Sequence, residues 1–151
     1  MPDISVAASS SALLGPVIAL VLWSLVMWLW MYATRLPVMM KMQKEGVEID
    51  NKLTPTELAG SIPAPTRWPA DNYNHLMEQP TIFYAAALAA AMAGMGGDSL
   101  AVSCAWAYVI LRVVHSILQA TVNVIMVRFA IFTLSTVALG ILTAKTAMAV
   151  L

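Results

Sequence analysis

The stretch LAVSCAWAYVILRVVHSILQATVNVIMVRFAIFTLSTVALGILTAKTAMAVL, residues 100–151, is almost wholly apolar. Its charges are Arg112, Arg128 and Lys145, it has no proline, and its one glycine is Gly140. A helix crosses the hydrocarbon of a bilayer with about 20 residues. The stretch is too long for one crossing and has the length of two. The polar cluster from Gln119 to Asn123, with Arg128 just beyond it, is where the turn is expected, which gives spans near residues 100–120 and 127–150.

Working outward, the run ALLGPVIALVLWSLVMWLWMYA (residues 12–33) carries no charge. Pro16 lies near the start of that run, where a missing N–H is harmless. Trp28, Trp30 and Tyr32 gather at its far end ahead of Arg35, the pattern of an interfacial aromatic belt with a cationic anchor. No basic residue precedes the run, as a cleaved signal peptide would need, so it is read as a retained span. A further span is expected at residues 73–93, polar at its start and alanine-rich after it, kinked by Pro80. Small residues allow close helix approach, so this helix is expected to face other protein. GMGGDS (residues 94–99) reads as a tight turn. The predicted fold class is therefore an all-α integral membrane protein, a four-transmembrane-helix bundle in one domain, with the lipid bilayer as its solvent.

Composition agrees. Of 151 residues 60% are hydrophobic and 11% charged, with a mean hydropathy of +0.79, whereas soluble domains carry about a quarter charged residues. The formal net charge of zero argues against nucleic acid as a partner. Cys104 stands alone in an apolar run and reads as a small buried hydrophobe.

The one long polar stretch, residues 35–72, holds five of the eight Lys and Arg residues. The positive-inside rule puts this loop in the cytoplasm and both termini on the other side. Lys145 is the exception, and its long stem can snorkel to the far interface. VMMKMQKEGVE can extend the first helix past the bilayer. LTPTELAGSIPAPTRWPADN (residues 53–72) is expected to break into turns, because proline and glycine interrupt helices. It is expected to form an ordered loop or a lid lying on the membrane surface, with a solvated linker as the alternative.

Charges within spans are costly and mark function or pairing. Glu78, Arg112 and Arg128 stand out. His75 and Glu78 share a helix face at i and i+3, and Arg112, His115, Gln119 and Asn123 form a second stripe at i, i+3, i+7 and i+11. Glu78 can neutralise one arginine. Should both arginines turn inward, a positive charge is left over, which suits an anionic ligand or a thiolate. The structural alternative is a buried Glu78–Arg112 ion pair fixing helix register, with Arg128 as a headgroup anchor. His75, Glu78 and His115 have the donor types of a metal triad, but their spacing is not diagnostic, and no metal is assigned.

NHLMEQPTIFYAAALA (residues 74–89) and AYVILRVVHSILQATVNVIMVRFAIF (residues 107–132) resemble the second and third helices of the MAPEG family, the membrane-associated proteins of eicosanoid and glutathione metabolism. The chain is similar to a bacterial-type member. The resemblance implies a homotrimer in a bacterial inner membrane, with glutathione as the ligand, held between subunits near the cytoplasmic face. By position, Glu78 and Arg112 match the family's glutamate and its arginine partner, and His115 its His or Tyr. Arg128 matches the arginine that stabilises the glutathione thiolate in catalysis. Asn74, His75 and Gln119 complete the implied ligand-binding set. The family's usual asparagine ahead of the glutamate is here His75 with Asn74 beside it, its upstream arginine is Asp71, and a usual tyrosine is Gln119. The implied activity is glutathione transferase or peroxidase on a lipophilic small-molecule substrate. The rival readings are a non-enzymatic membrane scaffold or lipid-binding subunit with the same fold, and a small exporter using Glu78 as its coupling carboxylate.

Overall fold

The structure, a computed structural model, describes residues 4–46 and 54–151, and within it every regular element is helical. Helix α1 runs Ile4–Lys44, α2 Pro55–Ser61, α3 Ala64–Leu76, α4 Pro80–Met92, α5 Ser99–Thr121 and α6 Ile125–Val150, with a 3-10 turn at Met95–Gly97. Residues 47–53 of the expected cytoplasmic loop lie outside the described part.

Among the described residues, α1, α5 and α6 are long and apolar enough to cross a membrane. The structure departs from the expected second span. In place of one kinked helix there are two, α3 and α4, separated at Met77–Gln79. The reason is Pro80. Its nitrogen has no proton for the Leu76 carbonyl and its ring would strike that carbonyl, so proline belongs in the first turn of a new helix, where it stands in α4. At 13 residues and 1.5 Å each, α4 is about 20 Å long, short of the ~30 Å of hydrocarbon.

A second departure concerns 53–72. Much of it is helical, as α2 and α3, because its prolines open helices. Pro55 starts α2, and Pro63 is the N-cap of α3. Thr54-Pro55-Thr56-Glu57 forms a capping box: the Thr54 N–H and hydroxyl donate to Glu57 Oε2 at 2.8 Å, and the Glu57 N–H donates to Thr54 Oγ1 at 3.3 Å. These bonds satisfy otherwise orphaned groups at the helix start. Pro16 also sits differently from expectation. Because α1 begins at Ile4, Pro16 is well inside the helix, and it is fully buried.

The core forms where α1, α4 and α5 meet. Leu13, Val17, Leu20, Ser24 and Met27 make one face of α1 at alternating steps of three and four. They pack with Phe83, Ala87 and Ala90 of α4 and with Ala101, Ala105 and Tyr108 of α5. The Phe83 and Tyr108 rings stack 4.5 Å apart. Outward faces stay apolar: Leu22, Leu29, Ile110, Leu134 and Val137 are all more than half exposed, as suits side chains whose solvent is lipid. At the far end Gly94 takes a left-handed φ of 74° and closes α4, a conformation that glycine adopts without penalty. Asp98 then caps α5, its Oδ1 accepting from the N–H groups of Leu100 and Ala101 at 3.0 Å. Lys145 of α6 reaches the turn at that same end. It turns to Asp98 Oδ2 at 2.5 Å and ties the α4–α5 turn to the end of α6.

Candidate functional site

Helix α5 is apolar along its buried face for two turns and then becomes polar. Tyr108, Arg112, His115, Ser116 and Gln119 are all buried. The spacing that reads as one stripe in the sequence is one stripe in the structure from Arg112 to Gln119, while Asn123 lies beyond the end of α5. The stripe meets the end of α3, the break at Met77–Gln79, and the start of α6.

Arg112 is completely buried. Its Nε donates to the Tyr108 hydroxyl at 3.1 Å, Nη2 donates to Gln79 Oε1, and Nη1 faces His75 Nε2 at 3.4 Å. The guanidinium lies over the rings of Phe132 and Tyr108, 4.8 and 5.3 Å from their centroids. All these partners are neutral. Among the described residues no carboxylate reaches Arg112. Glu78, expected as its counter-ion, bonds His75 Nδ1 at 2.9 Å through Oε2, and its side chain is 69% exposed. His75 and Glu78 keep the i, i+3 contact of one helix face, and it is the neutral amide of Gln79 that takes the inward place. Thr136 of α6 fixes that amide, its Oγ1 accepting from Gln79 Nε2 at 2.9 Å.

His115 sits between Arg128 and Gln119. Its Nδ1 is 3.1 Å from the Arg128 carbonyl oxygen and its Nε2 3.2 Å from Gln119 Oε1. Gln119 Oε1 also accepts from Asn72 Nδ2 at 3.0 Å. Arg128 donates through Nη1 to Asn123 Oδ1. Asn123 holds a φ of +50°, in the left-handed region that asparagine tolerates, and so turns the chain from α5 into α6. The Arg128 Nε–H is buried and has no partner. His75 and His115 lie 5.2 Å apart, ring to ring, with Phe132 5.4 Å from His75.

Beside the two histidines lies an open cavity of about 230 Å³ lined by His75, His115, Ile125, Arg128, Phe129 and Phe132. Its walls are aromatic and aliphatic, two imidazoles and a guanidinium edge point in, and a second guanidinium lies just behind His75. Such a set suits a small anion attached to an apolar or flexible body.

Of the residues singled out from the sequence, His75, Arg112, His115, Gln119 and Arg128 come together here. Glu78 joins only through His75. Asn74 does not join. It is exposed, and its carbonyl accepts the Met77 N–H at the end of α3, while Asn72, two residues earlier, is the asparagine that reaches α5. Sequence reasoning missed Asn72, Gln79, Tyr108, Phe132 and Thr136. Tyr108 is one helical turn before Arg112 and Phe132 one turn after Arg128, so helical spacing could have found both. Gln79 was hidden by the unrecognised break.

No curated protein and no solved structure matches the chain. The model of one family does, over residues 13–148. That match takes in the apolar part of α1, the polar stripe of α5, the cavity and nearly all of α6, and the chain belongs to the MAPEG family.

Proposed function

We propose that this cavity is part of a binding site for glutathione, or a closely similar anionic thiol, and that the protein conjugates the thiol to lipophilic electrophiles or uses it to reduce lipid hydroperoxides. The observation that carries the reading is the charge balance. Arg112 is fully buried with only neutral partners, and Arg128 keeps an unpartnered buried N–H beside the same cavity. A buried cation without a counter-ion is strongly unfavourable, so an anion supplied from outside the chain completes the site. A thiolate meets that need. Both arginines favour it over the thiol, and the ring walls keep the surroundings dry enough for the attraction to be large.

The donor set fits glutathione in chemistry and falls short in size. About 230 Å³ is less than the ~300 Å³ at which small-molecule pockets begin. One chain therefore holds the thiol end, and a neighbouring subunit of a homotrimer covers the rest. In this arrangement α4 crosses the membrane with the help of the break and α3, making the fourth transmembrane helix. The cation-rich segment 35–72 faces the cytoplasm of a bacterial inner membrane, and both termini face away. The alanines of α4 suit close approach to other helices.

The test is calorimetric titration of glutathione into detergent-purified protein beside Arg128→Ala. Saturable binding that the variant loses supports the site. Equal binding by both proteins removes Arg128 from it. A second reading, a lipid-binding or scaffolding subunit, draws support from Gln119, whose contacts with Asn72 and His115 occupy a position where the family's catalytic members have tyrosine. It is expected to leave the thermal midpoint unmoved by millimolar glutathione, whereas a ligand of the folded state must raise it.

A further inference from the structure

Helix α1 is longer than the bilayer needs. Its apolar part, Ala12–Lys44, has 33 residues, about 50 Å at the usual helical rise, against ~30 Å of hydrocarbon. It therefore leaves the hydrocarbon near the close of the charge-free run 12–33. Trp28 and Tyr32, with ring centroids 4.8 Å apart, mark that level, because such rings settle at the headgroup boundary. Arg35 is the first charge beyond the run.

At this level Met31, Tyr32, Arg35, Leu36 and Met39 line an open recess of about 400 Å³. Met31, Arg35 and Met39 follow one another at steps of four, and so do Tyr32 and Leu36, which puts all five on one helix face. Tyr32 and Leu36 are close to half exposed. Among the described residues no carboxylate pairs with Arg35 and no group bonds the Tyr32 hydroxyl. The next acid along α1 and its end, Glu45, is taken by Lys41 at 3.7 Å. The recess thus joins one uncompensated guanidinium and one phenol to walls that are otherwise apolar.

We infer that this face of α1 binds one anionic membrane phospholipid. Its phosphate accepts from the Arg35 guanidinium and the Tyr32 hydroxyl, and its acyl chains run back past Met31 along the span. Leu36 and Met39 flank the ion pair and thin the water around it, which strengthens the attraction. A zwitterionic headgroup fits less well, because its ammonium finds no carboxylate in the recess. A second copy of this chain fits less well too. Unless it brought a carboxylate, it would bury the guanidinium unpaired, at a large cost. The inference goes beyond the glutathione reading and does not depend on it, since none of these residues lines the cavity beside His75 and Arg128.

The test uses the full chain, purified in a mild detergent, with dioleoylphosphatidylglycerol and dioleoylphosphatidylcholine added in equal amounts. Native mass spectrometry reads the lipid retained. The wild type is expected to keep phosphatidylglycerol over phosphatidylcholine by about fivefold, the worth of one basic residue near an anionic surface. Arg35→Gln is expected to retain the two alike, and Arg35→Lys to keep part of the preference. Lys41→Gln, on the same helix but outside the recess, is expected to keep nearly all of it. Met39→Glu leaves Arg35 in place and gives it a carboxylate at i, i+4. It too is expected to abolish the preference, which keeps the inference testable should Arg35→Gln misfold. Equal retention of both lipids by the wild type overturns the inference, and is the result expected if a second copy covers this face. A preference that survives in Arg35→Gln also overturns it, as does one that falls as far in Lys41→Gln, since surface charge in general would then be the cause.

Discussion

Arg112 is the residue on which the reading of the site turns. A completely buried guanidinium with a phenol, an amide, an imidazole and two aromatic faces for company is well hydrogen-bonded and poorly neutralised. Replacing an unneutralised buried charge by an apolar side chain of similar length removes a desolvation cost, which offsets the hydrogen bonds that Tyr108, His75 and Gln79 lose. For Arg112→Met we therefore expect a thermal midpoint equal to or above that of the wild type, together with loss of the rise that glutathione produces. A large fall in midpoint without ligand would mean that the residue is structural. At this scale the α5 stripe was legible, because Arg112, His115 and Gln119 recur at helical spacing in an otherwise apolar run. The i, i+3 pairing of His75 with Glu78 was legible too, whereas the contact of Gln79 with Arg112 was not, because Pro80 divides α3 from α4 just beyond it.

Among the elements, α1, α5 and α6 announce themselves by length and hydropathy, and the change from α5 to α6 follows the polar residues near Asn123. The segment from Thr54 to Asn72 is largely helical where turns were expected, because proline does not only break helices. Here it serves as an opener, at Pro55 and Pro63, and the Thr54–Glu57 capping box was the signal for α2. The Asp98–Lys145 clip was invisible in the sequence, since the two residues are far apart in the chain and only the return of α6 brings them together. Lys145 donates to Asp98 and, with the Ala101 N–H, holds that carboxyl below its ordinary range. A folded-state value below the unfolded one means that the contribution to stability is present above the unfolded value of 3.8 and is lost as pH falls through the folded one. Asparagine still caps a helix, so Asp98→Asn is expected to lose the ion pair alone. Its thermal midpoint should lie between those of the wild type and Asp98→Ala at pH 7, and the gap to wild type should close in strong acid. A gap that persists there would show that the clip acts through shape rather than charge.

For the molecule as a whole, one chain leaves several surfaces without a protein neighbour. Its cavity is smaller than a glutathione site requires, its outer faces are apolar almost throughout, and α4 is short for a crossing. A homotrimer answers the first of these directly and supplies a protein neighbour for α4. Native mass spectrometry from detergent is expected to give a species of three 16.2 kDa chains. A monomer at the same protein concentration that still binds glutathione would place the complete site within one subunit. The membrane character of the protein was legible from composition alone. The oligomer was expected only through family resemblance, since nothing in periodicity or spacing encodes which lipid-facing surfaces meet a second copy.

The proposed role of the positive charge around the cavity is to hold a thiolate. Titrating glutathione into the purified protein at neutral pH, with Arg128→Ala as the control, addresses it most directly. The expected result is saturable heat with the wild type and a loss of at least tenfold in affinity with the variant, about 1.4 kcal/mol. Absence of saturable heat with an intact, folded wild type would contradict it, and the buried arginines would then need another anion to explain them.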